Sequence, residues 1–84
     1  MDLEEKFKNA CDDIHNVKNI ENDDLLKLYG LFKQATVGNC DIPQPGMFSS
    51  QKNKLKYNAW VMNKNMDKKT AMKMYIYTVE LLST

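Results

Sequence analysis

The residues best suited to bind a ligand lie in segment 29–38, where two aromatic rings and a lysine share one helical face. Tyr29, Phe32 and Lys33 are three and four residues apart, so their side chains meet on the same surface of a helix. A flat ring next to a cation suits a ligand that carries both a nucleobase and a phosphate. Gly38 then terminates the helix. The segment therefore predicts a site for a nucleotide-like ligand.

A second group of cations follows along the chain at Lys52, Lys54 and Lys56. Lys52 and Lys56 fall on one helical face, whereas Lys54 points elsewhere. Alone, such a run is most often a solvated helix face. Combined with Lys33 and Tyr29 on another helix, it becomes a candidate site for a polyphosphate.

The sequence offers no set of side chains for catalysis or metal binding. No nucleophile, base and orienting group form a recognisable pattern, and there is no glycine-rich phosphate loop. Cys11 and Cys40 form no Cys-x-x-Cys pair, and the single histidine, His15, cannot complete a zinc site. We therefore expect no metal, no cofactor and no enzymatic activity. Cys11 lies on an apolar helical stripe, which predicts a buried free thiol.

Size and charge narrow the class of protein further. The 84 residues make a single small domain, residues 1–84, and no apolar run approaches the ~20 residues that span a bilayer. The net charge is only +1, with 12 basic and 11 acidic residues. A nucleic-acid ligand is not expected, because nucleic-acid affinity comes from many phosphate contacts. The acidic N-terminus does not resemble a signal peptide, which predicts a cytoplasmic protein.

Hydrophobic periodicity predicts four helices that position these side chains. Their expected N-terminal caps are Asp2, Asn22, Ser49 or Ser50, and Asp67. A polar run at 16–22 separates the first two helices, and the second ends near Thr36. Asn65 is expected to end the third helix in a left-handed conformation.

A long loop, residues 37–49, separates the second and third helices. Pro43, Pro45 and Gly46 exclude helix there. Pro45-Gly46 fits the centre of a type II turn, in which the glycine has a positive φ. Loops of this length in a small domain are usually functional or packed against the core.

Four blocks of the sequence resemble the acyl-CoA-binding protein family, in the family's order and over nearly the whole chain from Phe7 onward. The blocks are Tyr29-Gly30-Leu31-Phe32-Lys33-Gln34-Ala35-Thr36-Val37-Gly38, Pro45-Gly46-Met47, Lys56-Tyr57-Asn58-Ala59-Trp60, and Ala71-Met72-Lys73-Met74-Tyr75-Ile76 with Val79-Glu80-Leu81-Leu82. The Lys-Gln-Ala-Thr-Val-Gly run in the first block is the most specific part.

The resemblance implies an all-α fold, an up-down-down-up four-helix bundle with a long overhand loop between helices 2 and 3. It also implies a non-enzymatic intracellular carrier that binds long-chain fatty acyl-CoA thioesters and buffers their pool in lipid metabolism. We expect such a carrier to be a monomer that makes transient contacts with acyl-CoA-using enzymes or membranes.

Carried over by motif, the resemblance places the 3′-phosphate of CoA against Tyr29, Lys33 and Lys56. Phe32 stands where the family usually has a tyrosine that packs against adenine, and it keeps the stacking face without the hydroxyl. Tyr75 matches a tyrosine of the fourth helix near the ligand. The remaining expected contacts are Leu25 and Leu26 in the acyl channel, and Asn9, Ala10 and Asp13 on the first helix.

Three departures from the family's pattern motivate a rival from another class of protein. Phe32 replaces the tyrosine, Tyr57 replaces a tryptophan, and His15 replaces a lysine that can face the ligand. A helical protein-interaction module that kept the fold but lost the ligand would carry such changes. It would bind a stable protein partner and show no response to acyl-CoA.

Overall fold

The computed structural model describes residues 1–84 and contains four α-helices and no β-strand. The helices are α1 (Leu3–Asp13), α2 (Asn22–Thr36), α3 (Gln51–Val61) and α4 (Lys68–Leu82), and a short 3₁₀ helix at Ile14–Asn16 extends α1. α2 packs against both α3 and α4, and α1 packs against α4. The expected all-α four-helix fold is confirmed, as is the long helix-free connection between α2 and α3.

The hydrophobic core lies where α1, α2 and α4 meet. Its fully buried members are Phe7, Ala10, Leu28, Leu31, Ala35, Ala71, Tyr75 and Val79. Gln34 is also completely buried, and its amide donates hydrogen bonds to the Met66 carbonyl at 2.8 Å and to Asn39 Oδ1 at 3.0 Å. These bonds tie α2 to the segment that precedes α4.

Side-chain caps define the start of two helices. Asp2 Oδ1 accepts a hydrogen bond from the Glu5 amide at 2.8 Å, and Ser50 Oγ accepts one from the Asn53 amide at 3.1 Å. Each bond satisfies an amide that has no partner within its helix. The Asp2 cap is confirmed, and of the two candidate serines Ser50 is the cap.

The expected N-cap of α2 is wrong by one residue. Asn22 is the first residue of the helix, and Glu21 holds the cap position without a side-chain capping bond. Asp23 and Asp24 lie in the first turn, where carboxylates favourably face the positive end of the helix dipole. This charge effect stabilises the start of α2 in place of a capping side chain.

Two of the other predicted cap residues, Asp67 and Gly38, occupy their expected positions. Asp67 holds the N-cap position of α4, and its carboxylate accepts a hydrogen bond from the Thr70 hydroxyl, which lowers the pKa of Asp67. Gly38 has a φ of 102° just after α2, and Asn65 has a φ of 71° after α3. Gly38 therefore ends α2 as predicted. Asn65 has the predicted left-handed conformation, but its expected place as the end of α3 is wrong, because the helix ends at Val61 with Met62 in the C-cap position.

The predicted type II turn at Pro45-Gly46 is wrong, because Gly46 does not have a positive φ. The turn starts at Gly46 instead, where the Ser49 amide donates a hydrogen bond to the Gly46 carbonyl at 3.0 Å. Lys54 Nζ also donates a hydrogen bond to the Met47 carbonyl at 3.0 Å. This hydrogen bond holds the turn against α3 with Gly46 as its first residue. The preference of the Pro45-Gly46 dipeptide alone does not predict that position.

Candidate functional site

Two cation–aromatic pairs join α2 to α3. Lys56 Nζ lies 5.2 Å from the centre of the Tyr29 ring, and Lys33 Nζ lies 4.9 Å from the centre of the Trp60 ring. Tyr29, Lys33 and Lys56, the three residues expected at the phosphate, therefore meet at one interface. A ring face attracts an ammonium group without neutralising its charge, so both lysines keep their hydrogen-bond donors for an anionic ligand.

Trp60 positions Lys33 from the core side of this interface. The indole is almost fully buried, and its N–H donates a hydrogen bond to the Gly38 carbonyl at 2.8 Å. That bond links α3 to the residue that ends α2. The expected core position of Trp60 is confirmed, and the residue additionally provides the ring beneath Lys33.

Gly30 sets the close approach of α2 and α3. A Cβ at this position would lie 2.3 Å from the Ala59 carbonyl oxygen and 3.0 Å from Asn63 Nδ2. Gly30 follows Tyr29, and Ala59 precedes Trp60, so this contact positions both cation–aromatic pairs. Sequence reasoning missed this role. The available signal was a glycine in a helix interior, which costs ~1 kcal/mol relative to alanine and indicates a packing requirement.

A cavity of about 520 Å³ opens between α2 and α3, and the Tyr29–Lys56 pair forms part of its lining. Its lining residues are Asn22, Leu25, Leu26, Tyr29, Lys52, Leu55 and Lys56. The volume falls in the range of small-molecule sites, and the lining joins cations to leucines. The predicted acyl-channel residues Leu25 and Leu26 thus share one cavity with Tyr29 and Lys56. Sequence reasoning had not assigned Leu55 to the site.

A second cavity of about 510 Å³ adjoins the first along α2 and α3. The two cavities share Leu26 and Leu55 in their linings. Buried Leu31 and exposed Met62 also line the second cavity, and Met74 contributes from α4. Apolar surface therefore continues past the two shared leucines.

Three aromatic rings cluster where α1, α2 and α4 meet. The Phe32 and Phe7 rings stack with centres 6.0 Å apart, and the Phe7 and Tyr75 rings meet edge to face at 5.1 Å. Phe32 also lies 6.4 Å from Tyr75. Tyr75 is buried, whereas Phe32 is 40% exposed. Part of the Phe32 ring is therefore accessible for stacking with a ligand.

Cys11 and Tyr75 are neighbouring groups whose acidities are suppressed. Burial raises the pKa of the Cys11 thiol, and nearby Asp12 adds to this rise, although a hydrogen bond with Tyr75 opposes it. Burial likewise raises the pKa of Tyr75, with a further contribution from Cys11. Both groups stay protonated at neutral pH, so Cys11 is a thiol and not a nucleophilic thiolate. Cys11 is free, as predicted, and is half-buried.

The three residues expected from α1 lie apart from the α2–α3 cavity. Asn9, Ala10 and Asp13 line a groove of about 280 Å³ between α1 and α4, together with Ile76 and Val79. Ala10 itself is part of the core. The structure thus brings together Tyr29, Lys56 and the two leucines but not this group. A ligand role for the three α1 residues stays a prediction.

The structure contains neither a helix that could span a membrane nor a metal-binding cluster. None of the helices combines the length and the apolarity that crossing a bilayer requires. No group of three or more His, Cys, Asp or Glu side chains is placed to hold a metal ion.

The fold and the site define a small helical ligand-binding domain in which two helices present lysines and rings beside a leucine-lined cavity. Residues 4–79 match the family model described as acyl CoA binding protein. The chain belongs to the acyl-CoA-binding protein family.

The matches to three known relatives cover nearly the whole length of each. An acyl-CoA-binding protein homolog of Manduca sexta is 42% identical, and the match covers 98% of this chain and 92% of that protein. The crystal structure of Oryza sativa acyl-CoA-binding protein 2 superposes with a TM-score of 0.92 at 37% identity, covering 98% of this chain and 91% of that one. The solution structure of the acyl CoA binding protein from Babesia bovis T2Bo has a TM-score of 0.79 at 33% identity, covering 99% and 94%.

Proposed function

We propose that this chain binds long-chain fatty acyl-CoA thioesters and acts as an intracellular carrier that buffers the acyl-CoA pool of lipid metabolism. One observation carries the proposal. Tyr29, Lys33 and Lys56 converge on one helix interface, and Tyr29 and Lys56 line a cavity with Leu25 and Leu26. The named function of the relatives supports the same ligand.

The head group binds at the cationic end of the site. CoA carries several negative charges, and Lys33 and Lys56 offer ammonium groups from two different helices. A charge-assisted hydrogen bond contributes roughly 1.5–3 kcal/mol. In the proposed complex the 3′-phosphate contacts both lysines and the Tyr29 hydroxyl, and adenine stacks on the accessible part of Phe32. Tyr75 supports the Phe32 ring from α4.

The acyl tail occupies the apolar end of the cavity. Leu25, Leu26 and Leu55 line this end. Burial of the tail contributes ~0.8 kcal/mol per CH₂ group. A long chain therefore accounts for most of the affinity difference between acyl-CoA and free CoA.

We propose that the chain carries its ligand without catalysing a reaction on it. The thioester is shielded from water in the cavity, and Cys11, held as a neutral thiol, does not attack it. We propose that the chain works in the cytoplasm as a monomer. It receives and delivers acyl-CoA by transient contact with enzymes or membranes.

The test is the replacement Lys33→Ala, measured by calorimetric titration with palmitoyl-CoA. Losing one charge-assisted bond should weaken binding roughly tenfold to a hundredfold, while the circular dichroism melt stays cooperative. Lys64→Ala is the matched control, because it removes an equal charge from an exposed position outside the cavity. An unchanged affinity in Lys33→Ala would refute the assigned role. A stable protein partner together with no response to acyl-CoA would favour the interaction module instead.

A further inference from the structure

The tip of the connection between α2 and α3 exposes large apolar side chains. Phe48 is 98% exposed and Met47 is 82% exposed, and Ile42 earlier in the loop is 48% exposed. Met47 and Phe48 lie inside the turn that the Gly46–Ser49 hydrogen bond closes. A phenylalanine that contacts almost nothing of its own chain contributes no core packing. Grouped exposed apolar residues usually mark an interaction surface.

The tip belongs to the part of the chain from which acidic residues are absent. Residues 42–66 contain four lysines and neither aspartate nor glutamate, a net charge of +4. Residues 1–41 contain five lysines and nine acidic residues, a net charge of −4. The almost neutral total therefore hides a strong separation of charge. The apolar tip and the lysines of α3 share the basic part.

A direct contact joins the tip to the basic helix. Lys54 Nζ donates a hydrogen bond to the Met47 carbonyl at 3.0 Å, and the Ser50 cap starts α3 two residues beyond Phe48. The loop tip and the first turns of α3 thus form one surface. Lys52 lies on another side of α3, where it lines the α2–α3 cavity, and does not belong to this surface.

We propose that this surface docks on an anionic phospholipid bilayer. The docking surface consists of Met47 and Phe48 with Lys54, which line or adjoin the same side of α3. Apolar side chains of this kind enter the boundary between headgroups and acyl chains, while lysines next to them interact with anionic headgroups. A bilayer matches both features at once, since it offers negative charge at its surface and hydrocarbon just beneath.

This docking surface specifies how the proposed carrier would contact a membrane. Its biological role rests on the proposed carrier function. The docking itself requires no acyl-CoA, which allows the two ideas to be tested separately.

The experiment measures co-sedimentation of the ligand-free chain with lipid vesicles. We expect binding to vesicles of phosphatidylcholine plus phosphatidylserine, and much weaker binding to vesicles of phosphatidylcholine alone. Binding should decrease as salt is raised, because salt screens the attraction between Lys54 and the anionic headgroups. Absence of binding to the anionic vesicles, or equal binding to both kinds, would overturn the proposal.

Two variants and two matched controls locate the surface. Phe48→Ser should weaken partitioning onto anionic vesicles roughly tenfold, and Lys54→Gln about fivefold. Leu81→Ser removes a half-exposed leucine from α4, and Lys64→Gln removes an equal charge beyond the end of α3. Neither control should change partitioning by a comparable factor. Equal effects of controls and variants would overturn the assignment of the surface.

The palmitoyl-CoA affinity of Phe48→Ser separates this inference from the carrier function. Phe48 does not line the α2–α3 cavity, so the affinity should match that of the unmodified chain. A chain that binds palmitoyl-CoA and ignores vesicles would refute the docking surface alone. A chain that binds vesicles and ignores palmitoyl-CoA would refute the carrier function.

Discussion

Replacing Gly30 with alanine should force α2 and α3 apart and weaken ligand binding. The added Cβ would lie 2.3 Å from the Ala59 carbonyl oxygen, whereas ordinary contact begins at 3.4 Å. The opposing atom is backbone and cannot rotate away. The two helices must therefore separate by ~1 Å, because close-packed interiors leave no free space to absorb the difference.

The net effect on stability combines two opposed contributions. Alanine favours the helix over glycine by ~0.8–1.0 kcal/mol, and overpacking typically costs ~1–3 kcal/mol. Since the clash at Gly30 is with backbone, we take the upper part of that range and expect a net loss of ~1–2 kcal/mol. In a domain of this size, each kcal/mol lowers the Tm by roughly 4–8 °C.

The expected effect on ligand binding follows from the side chains that the Gly30–Ala59 contact positions. Tyr29 and Lys33 lie on one side of the contact, and Lys56 and Trp60 lie on the other. A shift of ~1 Å is enough to misplace one charge-assisted hydrogen bond, which corresponds to roughly tenfold weaker binding of palmitoyl-CoA.

Thermal unfolding and calorimetric titration of Gly30→Ala test both expectations. Gly46→Ala is the matched control, because a Cβ there meets nothing within 4 Å and the residue has no positive φ. That variant should keep its affinity and should be equally stable, or more stable by up to ~1 kcal/mol. A raised Tm with intact affinity in Gly30→Ala would refute the close-approach reasoning.

Two further expectations concern the aromatic cluster and its neighbouring thiol. Phe32→Tyr adds the hydroxyl that Phe32 lacks. A new hydrogen bond of ~1 kcal/mol would strengthen palmitoyl-CoA binding about fivefold, measured by calorimetry. An unchanged affinity would mean that the hydroxyl has no hydrogen-bond partner in the complex. Folding raises the pKa of Cys11 above its ordinary value of 9.0, so the unfolded state loses this proton at a lower pH. The free energy of unfolding should therefore be unaffected by Cys11 below pH 9.0 and decrease above it. Buried Tyr75 adds a decrease above its ordinary 10.0. Urea unfolding across this range would contradict the reasoning if stability increased.

Local chemistry was sufficient to predict most of the helix ends. Asp2, Ser50 and Gly38 act through their own side chain or φ angle, so the sequence alone indicates their roles. The end of α3 was placed too late, because a turn at 62–65 separates the helix from left-handed Asn65. The N-cap of α2 was misplaced because Asn22 satisfies a cap preference that the observed backbone assigns to the previous position.

The error in the turn at Gly46 has a tertiary cause. The contact from Lys54 to Met47 holds the loop against α3. A dipeptide preference contains no information about a lysine that follows several residues later. The same limit applies to the exposure of Phe48, which the sequence does not reveal.

Residue types alone suggested that the lysine run at 52–56 could join Tyr29 and Lys33, and the family resemblance selected Lys56 from that run. Periodicity put Tyr29 and Lys33 on one face, but only a known fold could place Lys56 opposite them. Gly30 was missed because its role depends on Ala59 of another helix. The α1 residues are the weakest part of the expected site, since Asn9 and Asp13 line a different groove.

The central claim is that one site holds both a CoA head group and a long acyl tail. Calorimetric titration of the purified chain with palmitoyl-CoA and with free CoA tests it most directly. The account predicts submicromolar binding of palmitoyl-CoA and far weaker binding of CoA, because only the thioester fills the cavity beside Leu25 and Leu26. Equal affinity for the two ligands, or no binding of palmitoyl-CoA, would contradict it.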